Sequence, residues 1–187
     1  NNSSLGYEAL SKLTTGGDNT AMGRAAALDV TTASGNVAMG VEALENNSTG
    51  DNNVAIGKQA ARGSSMTGSA NTAVGVFAGY GLTTGGSNTC VGDAAGFAVT
   101  TATNNLLLGK DAGRTGSPGG NLTTSSNNVV LGDENIGNLY CTQSSINTSD
   151  RRDKNSITNF TGGLSWVNAM NPVTYKWDRR SWYVDSN

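Results

Sequence analysis

The stretch of this 187-residue chain whose residue types could do covalent chemistry is TSDRRDKNSI, residues 148–157. Ser149 offers a hydroxyl, and Asp150, Arg151, Arg152, Asp153 and Lys154 crowd charge behind it. A serine hydroxyl is a weak nucleophile and needs a nearby base. The chain contains no His, which removes His-based triads, His general bases and imidazole metal sites. Lysine is the available base of this kind if burial or neighbouring positive charge lowers its pKa, and Arg151 and Arg152 are placed to contribute that charge. On the residues alone, the plain alternative is a solvated charge run with an incidental serine.

Other chemistry has less footing. Two Cys, Cys90 and Cys141, cannot by themselves make a structural zinc site or a disulfide framework, so neither metal nor cofactor is expected. A glycan-cleaving reading needs a carboxylate pair in a groove. The candidates Asp93, Asp111, Asp133 and Glu134 stand at variable positions of a repeat. A net charge of −2 argues against general nucleic-acid binding. No apolar run approaches the roughly 20 residues that span a bilayer, so membrane insertion is not expected. No charged-then-apolar start resembles a signal peptide, and the sequence opens inside a repeat.

That repeat is the element that must position everything else. Its core reads Asn-x-small-apolar-Gly-x-x-Ala, as in NTAMGRAA, NVAMGVEA, NVAIGKQA and NTAVGVFA. The glycines are Gly6, Gly23, Gly40, Gly57, Gly75, Gly92, Gly109 and Gly132, spaced 17, 17, 17, 18, 17, 17 and 23. The long interval is the common period plus a six-residue insertion around RTGSPGGN. Four residues before the glycines stand Asn2, Asn19, Asn36, Asn53, Asn71, Asn88, Asn105 and Asn128. Eight before them, from the second unit on, stand Thr15, Thr32, Thr49, Thr67, Thr84, Thr101 and Thr124. An aliphatic residue or Met directly precedes each glycine, and Ala follows three later in seven of eight units.

A helical-hairpin repeat needs over about 30 residues, whereas 17 suit one coil of a β-solenoid built from two short strands and two turns. Gly and Asn suit the positive-φ positions where such a coil turns. The apolar residue before each glycine and the Ala after it are expected to face inward. The Asn column reads as a structural ladder or turn former, and the Thr column as a turn or inward hydroxyl ladder. Cys90 stands in the column of Ala21, Ala38, Ala55 and Ala73, so it reads as a small buried residue. Such a thin coil buries little, which favours several chains sharing a core, most simply a homotrimer. Eight coils at about 4.8 Å each predict a rod of roughly 35–40 Å. The fold class expected is all-β: an elongated β-solenoid or β-roll over 1–137, a neck over 138–148 and a small α+β fragment over 149–187.

The repeat resembles the head repeats of trimeric autotransporter adhesins and the Gly/Asn-rich shafts of phage tail fibres. Composition shifts after it. All three Trp (Trp166, Trp177, Trp182) lie in the last stretch, and 149–187 holds 6 Lys+Arg against 4 Asp. Leu164, Val167 and Met170 suit a short helix ending before Pro172, and VTYKWD alternates as a strand does. Ser149, Asp150, Arg152 and Lys154 resemble the Ser-Asp-x-Arg-x-Lys opening of the endosialidase-type intramolecular chaperone domain of phage tail spikes and fibres. GLSWVNAMNPVTYKWD resembles that family's next helix and strand. The resemblance implies a domain that drives trimer assembly and then cuts itself off, here between Thr148 and Ser149. It makes Ser149 the nucleophile and Lys154 the base, supported by Asp150 and Arg152. That domain runs to about a hundred residues, and 39 follow the proposed cut, so only its N-terminal part is expected here.

The leading functional expectation is a structural and host-recognition component of a tail fibre. Its partners would be two further copies, other tail or baseplate proteins through a preceding region, and a host-surface receptor such as a glycan. The place would be a virion tail fibre, or otherwise a cell surface. Loops such as 113–121 are where receptor contact is expected. The alternatives are a bacterial trimeric adhesin stalk, a glycan-cleaving spike, and an ice binder acting through the Thr column.

Overall fold

A computed structural model describes residues 1–138, and the architecture there is all-β, with no helix among the described residues. Eight three-residue strands follow one another: β1 (Ser3–Leu5), β2 (Thr20–Met22), β3 (Val37–Met39), β4 (Val54–Ile56), β5 (Thr72–Val74), β6 (Thr89–Val91), β7 (Leu106–Leu108) and β8 (Val129–Leu131). They form one parallel sheet in sequence order, each strand paired with the next. The register repeats the sequence period, with Ala21 opposite Ala38, Ala38 opposite Ala55 and Ala73 opposite Cys90. The one-residue and six-residue insertions fall between strands, so β4 still pairs with β5 and β7 with β8 in register. This is a parallel β-solenoid. The neck, the helix and strand expected near 161–177, and the rest of the α+β fragment lie outside the described residues.

Each coil carries one strand rather than the two expected. The remainder is a run of turns held by neighbouring coils. Gly40 and Glu42 donate their backbone N–H groups back to Met22 and Arg24, at 2.8 and 2.9 Å, while Leu44 donates forward to Ala60 at 2.9 Å. A turn whose backbone groups are paired above and below needs no second strand to satisfy them.

The turns also place non-glycine residues at positive φ. Ala25, Glu42, Gln59, Phe77 and Asp111 occupy the second position after their glycines with φ between 54 and 58°. Ala27, Leu44 and Ala61 do the same two residues later. Such conformations cost an L-residue roughly 1–2 kcal/mol each, and the ladder bonds offset that cost. The glycine column is different. Gly23, Gly40, Gly57 and Gly75 have φ of 131–138°, and a Cβ on Gly40 would lie 2.5 Å from the Gly57 carbonyl oxygen. Here the next coil's backbone occupies the space a side chain would need.

The core is narrow. Its central column is the middle residue of β2 to β8: Ala21, Ala38, Ala55, Ala73, Cys90, Leu107 and Val130, all buried. The Ala after each glycine faces it, as expected, with Ala26, Ala43, Ala60, Ala78, Ala95 and Ala112 fully buried. Larger fillers such as Val30, Leu44, Leu82 and Val99 close the interior. Two coils trade volume between strand and turn. Where the central residue grows to Cys90 and Leu107, the residue six positions later becomes Gly96 and Gly113. A Cβ at Gly113 would sit 3.1 Å from a Leu107 methyl.

One expectation is overturned. The residue before each glycine faces outward: Leu5, Met22, Met39, Ile56, Val91 and Leu131 are exposed. In a strand of three residues, alternation sends the middle side chain inward and both neighbours outward. Ala at the middle position already fills the thin interior.

Candidate functional site

The asparagines form one continuous buried ladder. Asn36 donates its backbone N–H and its Nδ2 to Asn19 Oδ1, at 3.0 and 3.1 Å. Asn53 donates its N–H to Asn36 Oδ1, and Asn71 donates both groups to Asn53 Oδ1. Asn88 does the same to Asn71, and Asn105 to Asn88. The second Nδ2 hydrogen goes to a backbone carbonyl, as from Asn19 to Ala33 and from Asn88 to Ala102, both 2.9 Å. Buried amides whose Nδ2 groups bond within the frame and whose oxygens accept from the next coil are not presented to a ligand. Asn19, Asn36, Asn53, Asn71, Asn88 and Asn105 are spent on the frame. So are Gly23, Gly40, Gly57, Gly75, Gly92 and Gly109, whose backbones pack coil on coil.

The Thr column lies at the surface. Thr15, Thr32, Thr49, Thr67, Thr84, Thr101 and Thr124 are exposed in turns, so the inward hydroxyl ladder is not formed by them. The ladder is made instead by the residue just before. Thr14, Thr31, Thr83 and Thr100 each donate Oγ1 to a backbone carbonyl of the following coil, at 2.9–3.1 Å. The doublet TT in five units is the signal for this second column.

A side face carries the charges and aromatic rings. Glu42 accepts from Gln59 Nε2 at 2.6 Å and from Arg24, and these bonds hold its carboxyl below the usual carboxylate range. Arg62 bridges Glu45 and the Tyr80 hydroxyl. Above it Tyr80 stacks on Phe97 at 4.8 Å, and the Arg114 guanidinium covers Phe97 at 4.7 Å. The six-residue insertion follows Arg114 and is pinned by Ser117, whose Oγ accepts from the Gly113 N–H at 3.0 Å. Beside it lies an open groove lined by Phe97, Lys110, Asp111, Arg114, Asn121 and Glu134. Burial would raise the Asp111 pKa, but bonds from Arg114 and Lys110 outweigh it and the net shift is downward. Both ring faces of Phe97 are thus occupied from within the chain.

The third surface is the outer face of the sheet. Its sixteen positions, two per strand, are all uncharged. One column runs Leu5, Met22, Met39, Ile56, Val74, Val91, Leu108 and Leu131. The other runs Ser3, Thr20, Val37, Val54, Thr72, Thr89, Leu106 and Val129. Sequence reading had assigned the first column to the interior. The outward direction was legible only from alternation against the buried Ala column.

Cys90 is fully buried, and burial pushes its thiol up to about 12, so it is a packing residue. Asp93 and Glu134 are exposed, and Asp133 is held low by the backbone and side-chain N–H groups of Asn135. Thr148, Ser149, Asp150, Arg152 and Lys154 lie outside the described residues. Among the described residues no helix is long and apolar enough to cross a membrane.

For that C-terminal segment the deciding observation is a comparison with protein families. Residues 149–186 match the family model described as chaperone of endosialidase. The match begins at Ser149, the residue at which the SDRRDK phrase starts. Comparison of the chain with curated proteins and with solved structures returned no match. The chain therefore carries a parallel β-solenoid over its described residues and, at 149–186, a segment similar to the chaperone of endosialidase family.

Proposed function

We propose that the chain is a structural and host-contacting shaft of tail-fibre type, assembled as a homotrimer under its C-terminal chaperone segment. The observation that carries this is the order of parts: an eight-strand solenoid without a catalytic cluster among its described residues, followed by the chaperone match at 149–186. The long axis gives reach. Three chains give avidity to receptor contacts that are individually weak. The groove beside the 113–121 insertion, with its mixed charges, is where a host-surface glycan would be met.

The chaperone segment would release itself once assembly is complete. The Ser149 Oγ attacks the Thr148 carbonyl carbon while Lys154 takes the hydroxyl proton. The C–N bond to Ser149 breaks, the proton passes to the freed amine, and water hydrolyses the resulting ester. Arg152 would keep the Lys154 amine neutral by like-charge repulsion, with Asp150 in support. Denaturing intact-mass measurement of the chain beside Lys154→Ala tests this. A wild-type species ending at Thr148, absent in the variant, is the expected result. Uncut chain in both removes the Ser149/Lys154 dyad and leaves a shaft with a permanent C-terminal segment.

A further inference from the structure

We infer that the outer face of the β1–β8 sheet is the surface on which copies of this chain pack against one another. This rests on the homotrimer reading and names the face that serves it.

The face combines three properties. It is uncharged at all sixteen outward strand positions, twelve of them apolar and the other four Ser3, Thr20, Thr72 and Thr89. Met22, Met39, Ile56, Val91 and Leu131 stand 36–44% exposed on it, with Val37, Val54, Val74, Leu106 and Leu108 half-buried between them. It is also periodic, because the parallel register stacks each outward residue on its equivalent in the next coil. These ion pairs lie off it, in the turns that follow the glycines: Lys12 with Asp29, Arg24 with Glu42, Arg62 with Glu45, Lys110 and Arg114 with Asp111.

Periodicity selects the occupant. Seven strand steps of about 4.8 Å make the strip about 34 Å long. A partner that meets it at every coil must rise by the same step, with bulky side chains at the same intervals. A second copy does so by construction. Copies joined through one C-terminal assembly segment also run parallel, which brings equivalent coils level.

Size argues against a stable pair held by this strip alone. The strip is about 10 Å wide, roughly 350 Å² in projection, at three residues of about 3.3 Å per strand. That is the size of a functional patch on a single chain. It is well under the roughly 800 Å² per partner of a typical stable pair. In a closed ring of three, each chain meets two others, and Val41 and Val76, exposed beside their glycines, extend the strip around its edge.

The test uses the whole chain in a Cys90→Ala, Cys141→Ser background. Mass by light scattering is measured for the parent, for Ile56→Asp on the face and for Ser64→Asp on an exposed turn. Maleimide labelling rates are measured for Ile56→Cys and Ser64→Cys. We expect a trimeric parent, a trimeric Ser64→Asp, a monomeric Ile56→Asp, and labelling of Ile56→Cys at least tenfold slower than of Ser64→Cys. The labelling arm decides the matter if Ile56→Asp does not fold. A trimer that survives Ile56→Asp and labels equally fast at both cysteines overturns the face while leaving the trimer. A monomeric parent overturns the trimer reading, and slow labelling at Ile56→Cys in that monomer assigns the face to a different occupant.

Discussion

Truncating one asparagine in the middle of the buried ladder should cost far more than truncating one at its end. Asn71 donates Nδ2 to Asn53 Oδ1 at 3.1 Å and to the Gly85 carbonyl at 2.9 Å. Its own Oδ1 accepts the N–H and Nδ2 of Asn88, both at 3.0 Å. In Asn71→Ala, Asn88 Nδ2 keeps the Ala102 carbonyl, and Asn53 Oδ1 keeps the residue-71 N–H. The Asn88 N–H and the Gly85 carbonyl lose their partners. Two buried groups at about 1–3 kcal/mol each give an expected loss of about 2–6 kcal/mol. Asn128→Ala removes donors to Asn105 Oδ1 and Ser125 Oγ, while Asn105 Oδ1 still accepts the residue-128 N–H. Nothing is orphaned, so that loss should be about 1 kcal/mol. Urea unfolding followed by far-ultraviolet circular dichroism, at one protein concentration, compares the two. Equal losses would refute the view that the ladder works by satisfying buried backbone. Asn71→Asp adds a second reading. A buried carboxyl facing the Asn53 and Gly85 oxygens has its folded pKa raised. Relative to wild type, its stability should be best below the unfolded value of about 3.9 and fall as pH rises toward the folded value.

Three further outcomes follow from the packing. Gly96→Ala should lose about 2–4 kcal/mol, combining φ of 65° with a Cβ 3.1 Å from a Leu107 methyl and in collision with Cys90 Sγ. Cys90→Ala in the same chain should recover about 1 kcal/mol or more, and the cycle read by chemical denaturation would be additive if the two residues did not compete for space. Ala70→Gly or Ala70→Asn should gain about 1 kcal/mol in thermal unfolding, because Ala70 is exposed at φ 59° in a column otherwise held by Asp18, Gly35, Asn52, Ser87, Asn104 and Asn127. In a Cys141→Ser chain, Cys90 should stay unreactive toward a colorimetric thiol reagent at pH 8 until the protein unfolds, since burial holds its thiol near 12.

The frame was readable because it is written eight times. Asn, Gly and the following Ala each serve a geometry that few other residues can serve, so each column stays uniform. The turns were less readable. Glu42, Phe77 and Ala25 sit at positive φ without any compositional mark, since the hydrogen bonds that hold them come from neighbouring coils and not from their own side chains. The second strand was expected because a coil must satisfy its backbone; stacked turns do that here. Inward placement of Met22 and Ile56 failed for a similar reason. Hydrophobicity alone does not give direction, whereas the neighbouring Ala column, being small, shows how little room lies inside. The reacting residues were legible only through the phrase SDRRDK, which names residue types and an order without geometry.

The distribution of volume across each strand bears on why such a frame would be joined to a segment that acts as an assembly chaperone, as proposed. In β2 to β5 the inward residue is Ala and the outward neighbour is Met, Met, Ile and Val. Burying a side chain of that size contributes about 1.5–3 kcal/mol, and a single methyl about 0.8 kcal/mol. With Met22, Met39 and Ile56 still 36–44% exposed, the apolar free energy in reserve on the outer face is about 0.6–1.2 kcal/mol per coil, comparable to what the central methyl secures inside. The ladder of backbone and Asn bonds makes the rod continuous along its axis, but forming it replaces bonds to water with bonds within the protein at small net gain. On the proposed packing, the reserve is realised only when three chains bring their strips together in register. Registering three repetitive strips is difficult for chains acting alone, because a slip of one coil preserves nearly every contact. The insertions between β4 and β5 and between β7 and β8 break that degeneracy, and a segment that holds the three C-terminal ends level would remove it.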